Sequence, residues 1–188
     1  MQAGIVVRSS IFLGAALIAA AMAGFAGNAP QRDKSQRPSP PAHAECKVGG
    51  GTTINVDYSS PRMKGRKVFG GIVPYGQVWR AGANEATTFV VSGNVRVGSL
   101  ELPAGSYTLF VIPEEGKAWR LIVSKKTGEW GIPYPGEQLD LGRTEMRTKA
   151  LASPVENFTI GFDRDGDGCV LHMDWETTSA SVKIVEKR

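Results

Sequence analysis

The sequence predicts an all-β domain, an antiparallel β-sandwich or jelly-roll-like fold. Three observations carry that prediction. Nearly every apolar segment of the second and larger part of the chain alternates with period two. These segments are short and follow one another across turns rich in glycine and proline. No stretch after residue 24 carries the period of an amphipathic helix, and no internal repeat is evident.

Taken in order, residues 1–23 read as a signal peptide. Arg8 supplies the positive start, Ile11 to Ala23 is an uncharged apolar run, and Ala21-Met22-Ala23 offers small residues for cleavage. The run is shorter than the roughly 20 apolar residues of a spanning helix, so no membrane span is expected after cleavage. Residues 24–45 are rich in Pro, Ala, Gly, Ser and Gln. That composition cannot bury enough apolar surface to fold, and a disordered Pro-rich leader is expected there. Residues 46–188 are long enough for a single core.

Within that domain Ile54, Val56 and Tyr58 share one face of a strand over Thr52–Tyr58, and Thr87–Ser92 reads as a buried strand. Val95 and Val97 open another segment, which Leu100–Leu102 continues. Tyr107, Leu109 and Val111 alternate before the turn Pro113–Gly116, and Trp119, Leu121 and Val123 alternate after it. Met146–Ala150 is more polar and reads as an edge strand. The triplets Phe158/Ile160/Phe162 and Leu171/Met173/Trp175 follow, then Val182 and Ile184. Trp130-Gly131-Ile132-Pro133-Tyr134-Pro135-Gly136 breaks the rhythm as a rigid aromatic loop, either a rim for a ligand or a packed surface loop.

Without residues 1–23 the chain keeps 21 basic against 18 acidic residues, interspersed and without a basic run. This is a solvated surface and not a nucleic-acid footprint. Cys46 and Cys169 flank the domain, and in an exporting context they are expected to pair.

Histidine is nearly absent: His43 stands in the leader and His172 on a strand face away from the core. A histidine triad or multi-histidine zinc site is therefore not expected, and no nucleophile elbow, phosphate loop, dinucleotide fingerprint or Cys-x-x-Cys occurs. Asp163, Asp165 and Asp167 have the spacing of calcium-loop positions 1, 3 and 5, with Gly168 following. A calcium site and a polar hairpin turn are both open there. No other cofactor is expected.

The alternation fails over Gly65–Thr88, where polar and aromatic side chains crowd together: Arg66, Tyr75, Trp79, Arg80, Asn84, Glu85 and Thr87. They suit a ligand pocket, in which Arg66 and Arg80 grip an anion, Asn84 and Glu85 orient hydroxyls, and Trp79 or Tyr75 forms a stacking wall. They suit equally a buried ion-pair network that staples a long excursion to the sheet. No catalytic residue is assigned.

Several segments resemble the bacterial exported family called domain of unknown function 2911: Val56-Asp57-Tyr58-Ser59-Ser60-Pro61, Lys64 to Gly70, Val73 to Thr87, Leu102 to Leu109, and Trp130-Gly131. The similarity covers about residues 52–185. It implies an exported, periplasmic or secreted, β-rich bacterial domain without an assigned activity. Three functions remain open: a binding module for a small polar or carbohydrate-like ligand, an envelope-associated structural domain, and a carboxylate- or metal-dependent hydrolase. The oligomeric state is open as well.

Overall fold

A computed structural model describes Met1 and residues 33–187. The expected signal peptide, and the leader as far as residue 32, fall outside the described residues apart from Met1. Nine strands run through the rest: β1 (Pro41–Val48), β2 (Thr52–Ser59), β3 (Thr87–Val91), β4 (Val95–Val97), β5 (Leu100–Leu102), β6 (Gly105–Ile112), β7 (Trp119–Ser124), β8 (Asp140–Asp165) and β9 (Gly168–Glu186). Single 3-10 turns at Lys34–Gln36 and Glu137–Leu139 are the helical elements among the described residues.

All strand pairings are antiparallel, in the order β1-β2-β3-β6-β7-β8-β9-β4-β5. The long β8 makes the fold double back. Its first part, to Met146, pairs with β7; from Arg147 onward it pairs with β9. One strand thus serves two layers, as at the corners of sandwiches. The layers close on each other, since β1 packs against β8 and β9 without pairing with them. The Cys46–Cys169 disulfide ties β1 to β9, with Cα atoms 6.7 Å apart. Gly49 N–H donates to Asp167 O beside it, at 2.8 Å.

The core is the sum of the inward faces that alternation marks. Ile54 and Val56, Phe89, Leu109 and Val111, and Leu121 and Val123 are buried from one layer; Phe158, Ile160, Leu171, Met173 and Trp175 are buried from the other.

Three expectations change. Ordered structure begins earlier than Cys46: Pro41–Glu45 pairs with β2 over the register Pro41↔Ser59 to Glu45↔Asn55, and residues 34–36 form a turn. β2 supplies the partner edge that a composition-based reading of the leader lacks. Met146–Ala150 is not an edge strand; it lies inside β8, flanked by β7 and β9. The segments 146–150 and 158–162 belong to one strand, whose period is broken by irregularities between Ala150 and Thr159.

Candidate ligand-binding cleft

Between β2 and β3 the chain leaves the sheet for residues 60–86, the stretch that carries most of the singled-out side chains. Apolar plugs fix this excursion. Val68, Phe69 and Val73 are buried. Trp79 exchanges backbone hydrogen bonds with Val111, both at 2.8 Å, and so extends the sheet beyond the start of β3. Its ring packs with Phe158 at 4.9 Å and Trp175 at 5.7 Å between centroids, and its indole N–H donates to Gly82 O. Trp79 is a wall of the core and not of a pocket.

The next turn is held by backbone geometry. Ala81 and Asn84 adopt positive φ (50° and 55°). Thr87, fully buried, donates its hydroxyl to Ala81 O at 2.7 Å. Ala83 N–H donates to Ser59 O and Ala86 N–H to Glu129 O. Asn84 reaches back to the N-terminal segment, donating its amide to Ser39 O at 2.9 Å. These bonds place Glu85 at the surface with its carboxylate turned outward.

Arg66, Arg80 and Glu85 do not meet. Arg66 is exposed and donates to the carbonyls of Met63 and Arg62, capping its own turn. Tyr75 packs near Gly70 and borders a separate hollow with Glu114 and Trp119. Arg80 donates to Trp130 O at 2.9 Å, and its guanidinium lies 5.6 Å from the Trp130 ring centroid, a cation–π contact. Gly131 beside it has φ 81°, and a Cβ there would come within 3.0 Å of the Cβ atoms of Ala86 and Arg80. Only glycine lets the Trp130 loop lie this close to the excursion.

Glu85 borders a cleft of about 340 Å³, together with Lys34, Asp57, Ser59, Thr88 and Glu129. Residues distant in sequence supply it: the N-terminal segment, β2, the start of β3 and the 128–129 turn. The signal for Asp57 lies in its family-like segment Val56–Pro61; none in the sequence points to Lys34, Arg37 or Glu129. Lys34 Nζ is 3.1 Å from Glu85 Oε1, and one Arg37 nitrogen donates to both Glu85 oxygens at 3.0 and 2.8 Å. The Glu85 carboxyl is held down to about 2 by its own backbone N–H, by Arg37 and by Lys34, against the opposing effect of burial. Asp57 lies 2.8 Å from a His43 ring nitrogen, and Glu129 is 3.2 Å from Lys126 Nζ.

The acidic turn gives no converging site. Asp163 and Asp165 run along β8, and Gly166-Asp167 forms the two-residue connection to β9, with Gly166 at φ 63°. Asp165 pairs with Lys183 at 2.8 Å. Among the described residues no three His, Cys, Asp or Glu side chains are gathered as a metal would need. An extended hairpin spreads these carboxylates, where a calcium loop curls them around one point.

A family model described as protein of unknown function (DUF2911) matches residues 39–184. The chain belongs to this family. No curated protein and no solved structure matches it. Within the DUF2911 span lie Asp57, Glu85, Glu129 and Trp130; Lys34 and Arg37 stand before it.

Proposed function

We propose that this DUF2911 protein is an exported binding module that takes a small polar, carbohydrate-like ligand into the cleft beside Glu85. One observation carries the reading: the carboxylate of the motif opens onto a cavity of about 340 Å³ and is not sealed inside the protein. That volume is at the lower end of the range for small-ligand sites, roughly 300–1,000 Å³. In a lining that is mostly apolar, with Pro41, Tyr58 and Ala86, the side chains of Asp57, Glu85, Ser59 and Thr88 supply hydrogen-bonding groups for the hydroxyls of a sugar-like molecule. Trp130, more than half exposed and with Arg80 against its ring, follows the cleft residues Gly128 and Glu129 in sequence, and in this reading its ring is the rim.

Held near 2, the Glu85 carboxyl is ionised at neutral pH and accepts hydrogen bonds, as a hydroxylated ligand requires. A larger hollow of about 580 Å³, beside β4, β5 and β9, contains none of the motif residues. Export rests on the N-terminal apolar run and on the disulfide, a bond favoured in oxidising compartments. No helix among the described residues is long and apolar enough to cross a membrane.

The test is a thermal-shift screen of the mature chain against methyl glycosides and sugar alcohols. A ligand at 100 times its Kd should stabilise the wild type by about 2.7 kcal/mol. Trp130→Ala should weaken the same ligand roughly tenfold, about 1.4 kcal/mol. A wild type that no member of the panel stabilises, or a Trp130→Ala variant stabilised equally, would count against the reading.

A further inference from the structure

The cleft is already in contact with two cations, and both belong to the chain's own N-terminal segment. Asp33 caps a 3-10 turn over Lys34–Gln36 by accepting from Ser35 N–H. That turn presents Lys34 and Arg37 to Glu85 at 3.1 and 2.8 Å. The three carboxylates on the cleft, Asp57, Glu85 and Glu129, all lie within the family span of 39–184, whereas both of these cations precede it.

We propose that the cleft accepts an organic cation, a guanidinium or ammonium group, against Glu85, and that Lys34 and Arg37 are the chain's own occupants of that position. This rests on the reading that the cleft is the binding site. Arg37 demonstrates the fit, since one guanidinium nitrogen reaches both carboxylate oxygens at hydrogen-bonding distance.

Glu85 is also positioned by bonds that do not involve residues 33–37, from Ala83 to Ser59 and from Ala86 to Glu129. The segment's hold on Glu85 is weak. Its ion pairs with Glu85 are partly exposed, the Glu85 side chain retaining 43% exposure, and pairs of this kind hold weakly and are screened by salt. It also stays close by, because Ser60 N–H holds Pro40 O and β1 begins at Pro41. A tethered occupant competes at high effective concentration and raises the threshold for an outside ligand. With it gone, the cleft keeps its three carboxylates, of which Glu129 retains Lys126 and Asp57 retains His43 as partners. The cation sought belongs either to a free small molecule or to an arginine side chain of a peptide; the chemistry at Glu85 is the same.

Calorimetric titrations of the full mature chain test this with two probes, agmatine and an arginine-centred tripeptide. Three proteins are compared: wild type, Lys34→Ala/Arg37→Ala, and that double variant with Glu85→Gln added. The double variant should bind at least one probe ten times more tightly than wild type or better, and the added Glu85→Gln should abolish the gain. Preference for agmatine indicates a free cation, and preference for the tripeptide indicates a peptide side chain. Equal affinity in wild type and double variant, retention after Glu85→Gln, or no saturable binding by the double variant overturns the proposal. If neutral glycosides still bind in the Trp130-dependent manner, only the cation is wrong. If neither class binds, the cleft itself is not the site.

Discussion

Trp79 and Arg80 are adjacent, yet they point to different parts of the molecule. The Trp79 ring stacks with Trp175 and meets Phe69 and Phe158 edge-on. Its removal leaves a hole in the core, so Trp79→Ala should cost about 3–5 kcal/mol. Arg80 touches only the Trp130 loop in its hydrogen bond and ring contact. Losing an exposed cation–π contact and one hydrogen bond should cost about 1–2 kcal/mol. Urea denaturation of the two variants checks the contrast; equal losses would mean that Arg80 sits in a buried network. At this scale the sequence was readable in part. It marked both residues as special because alternation fails around them. It could not separate them, since which side of the excursion each one faces depends on the bridge between Trp79 and Val111.

At the scale of elements, the β8–β9 hairpin carries a titrating pair. His172 faces Gly161 across the strands, where a Cβ would come within 2.6 Å of the ring; glycine makes room for it. Its Nδ1 lies 3.0 Å from Asp174 Oδ2. The hydrogen bond to Asp174 raises the imidazole above its ordinary 6.5, against burial and Lys149, and Asp163 adds to the rise. For Asp174, burial pushes upward but is outweighed by the His172 hydrogen bond and the nearby Ser179, so its carboxyl lies below 3.8. The histidine's contribution to stability is complete below pH 6.5 and is lost as pH rises through the elevated value. The aspartate's contribution is present above pH 3.8 and is lost as pH falls through the lowered value. Thermal midpoints of wild type should therefore decline from pH 6 to 8 more than those of His172→Gln. Parallel curves would show that the pair is not coupled to folding. Strands with clean alternation, such as Leu109/Val111 and Leu121/Val123, were legible from sequence. β1 was not, because Pro40 and Pro41 at its start match the composition of a leader. The continuity of β8 was hidden by the irregular stretch from Ala150 to Thr159, where the period is lost but the chain stays extended.

For the whole molecule, the decisive tie is Cys46–Cys169, across a sequence separation of 123. It joins the first strand to the last, which are far apart in the order of pairing and adjacent only because β8 folds one layer over the other. In the chain-entropy model a loop of that size is worth about 4–5 kcal/mol. Reduction, or Cys46→Ala/Cys169→Ala, should lower the denaturation midpoint accordingly, and an unchanged midpoint would mean that the layers hold without the tie. The cysteine pair could be anticipated from the sequence and its context. The cleft could not, because Lys34, Asp57, Glu85 and Glu129 converge only after β1 and β2 pair and the 128–131 turn packs on Ala86.

Under the proposed function this cleft, and not the rest of the Gly65–Thr88 motif, is where a ligand sits. The most direct measurement is an amide chemical-shift titration of the isotope-labelled mature chain with the best ligand of the glycoside screen or, should that screen be empty, with agmatine. Saturable shifts should cluster at Asp57–Ser59, Glu85–Thr88 and Gly128–Gly131 and leave Lys64–Gly70 unmoved. Shifts centred on Arg66 or Tyr75, or no saturable shift with either ligand, would rule the cleft out as the ligand site.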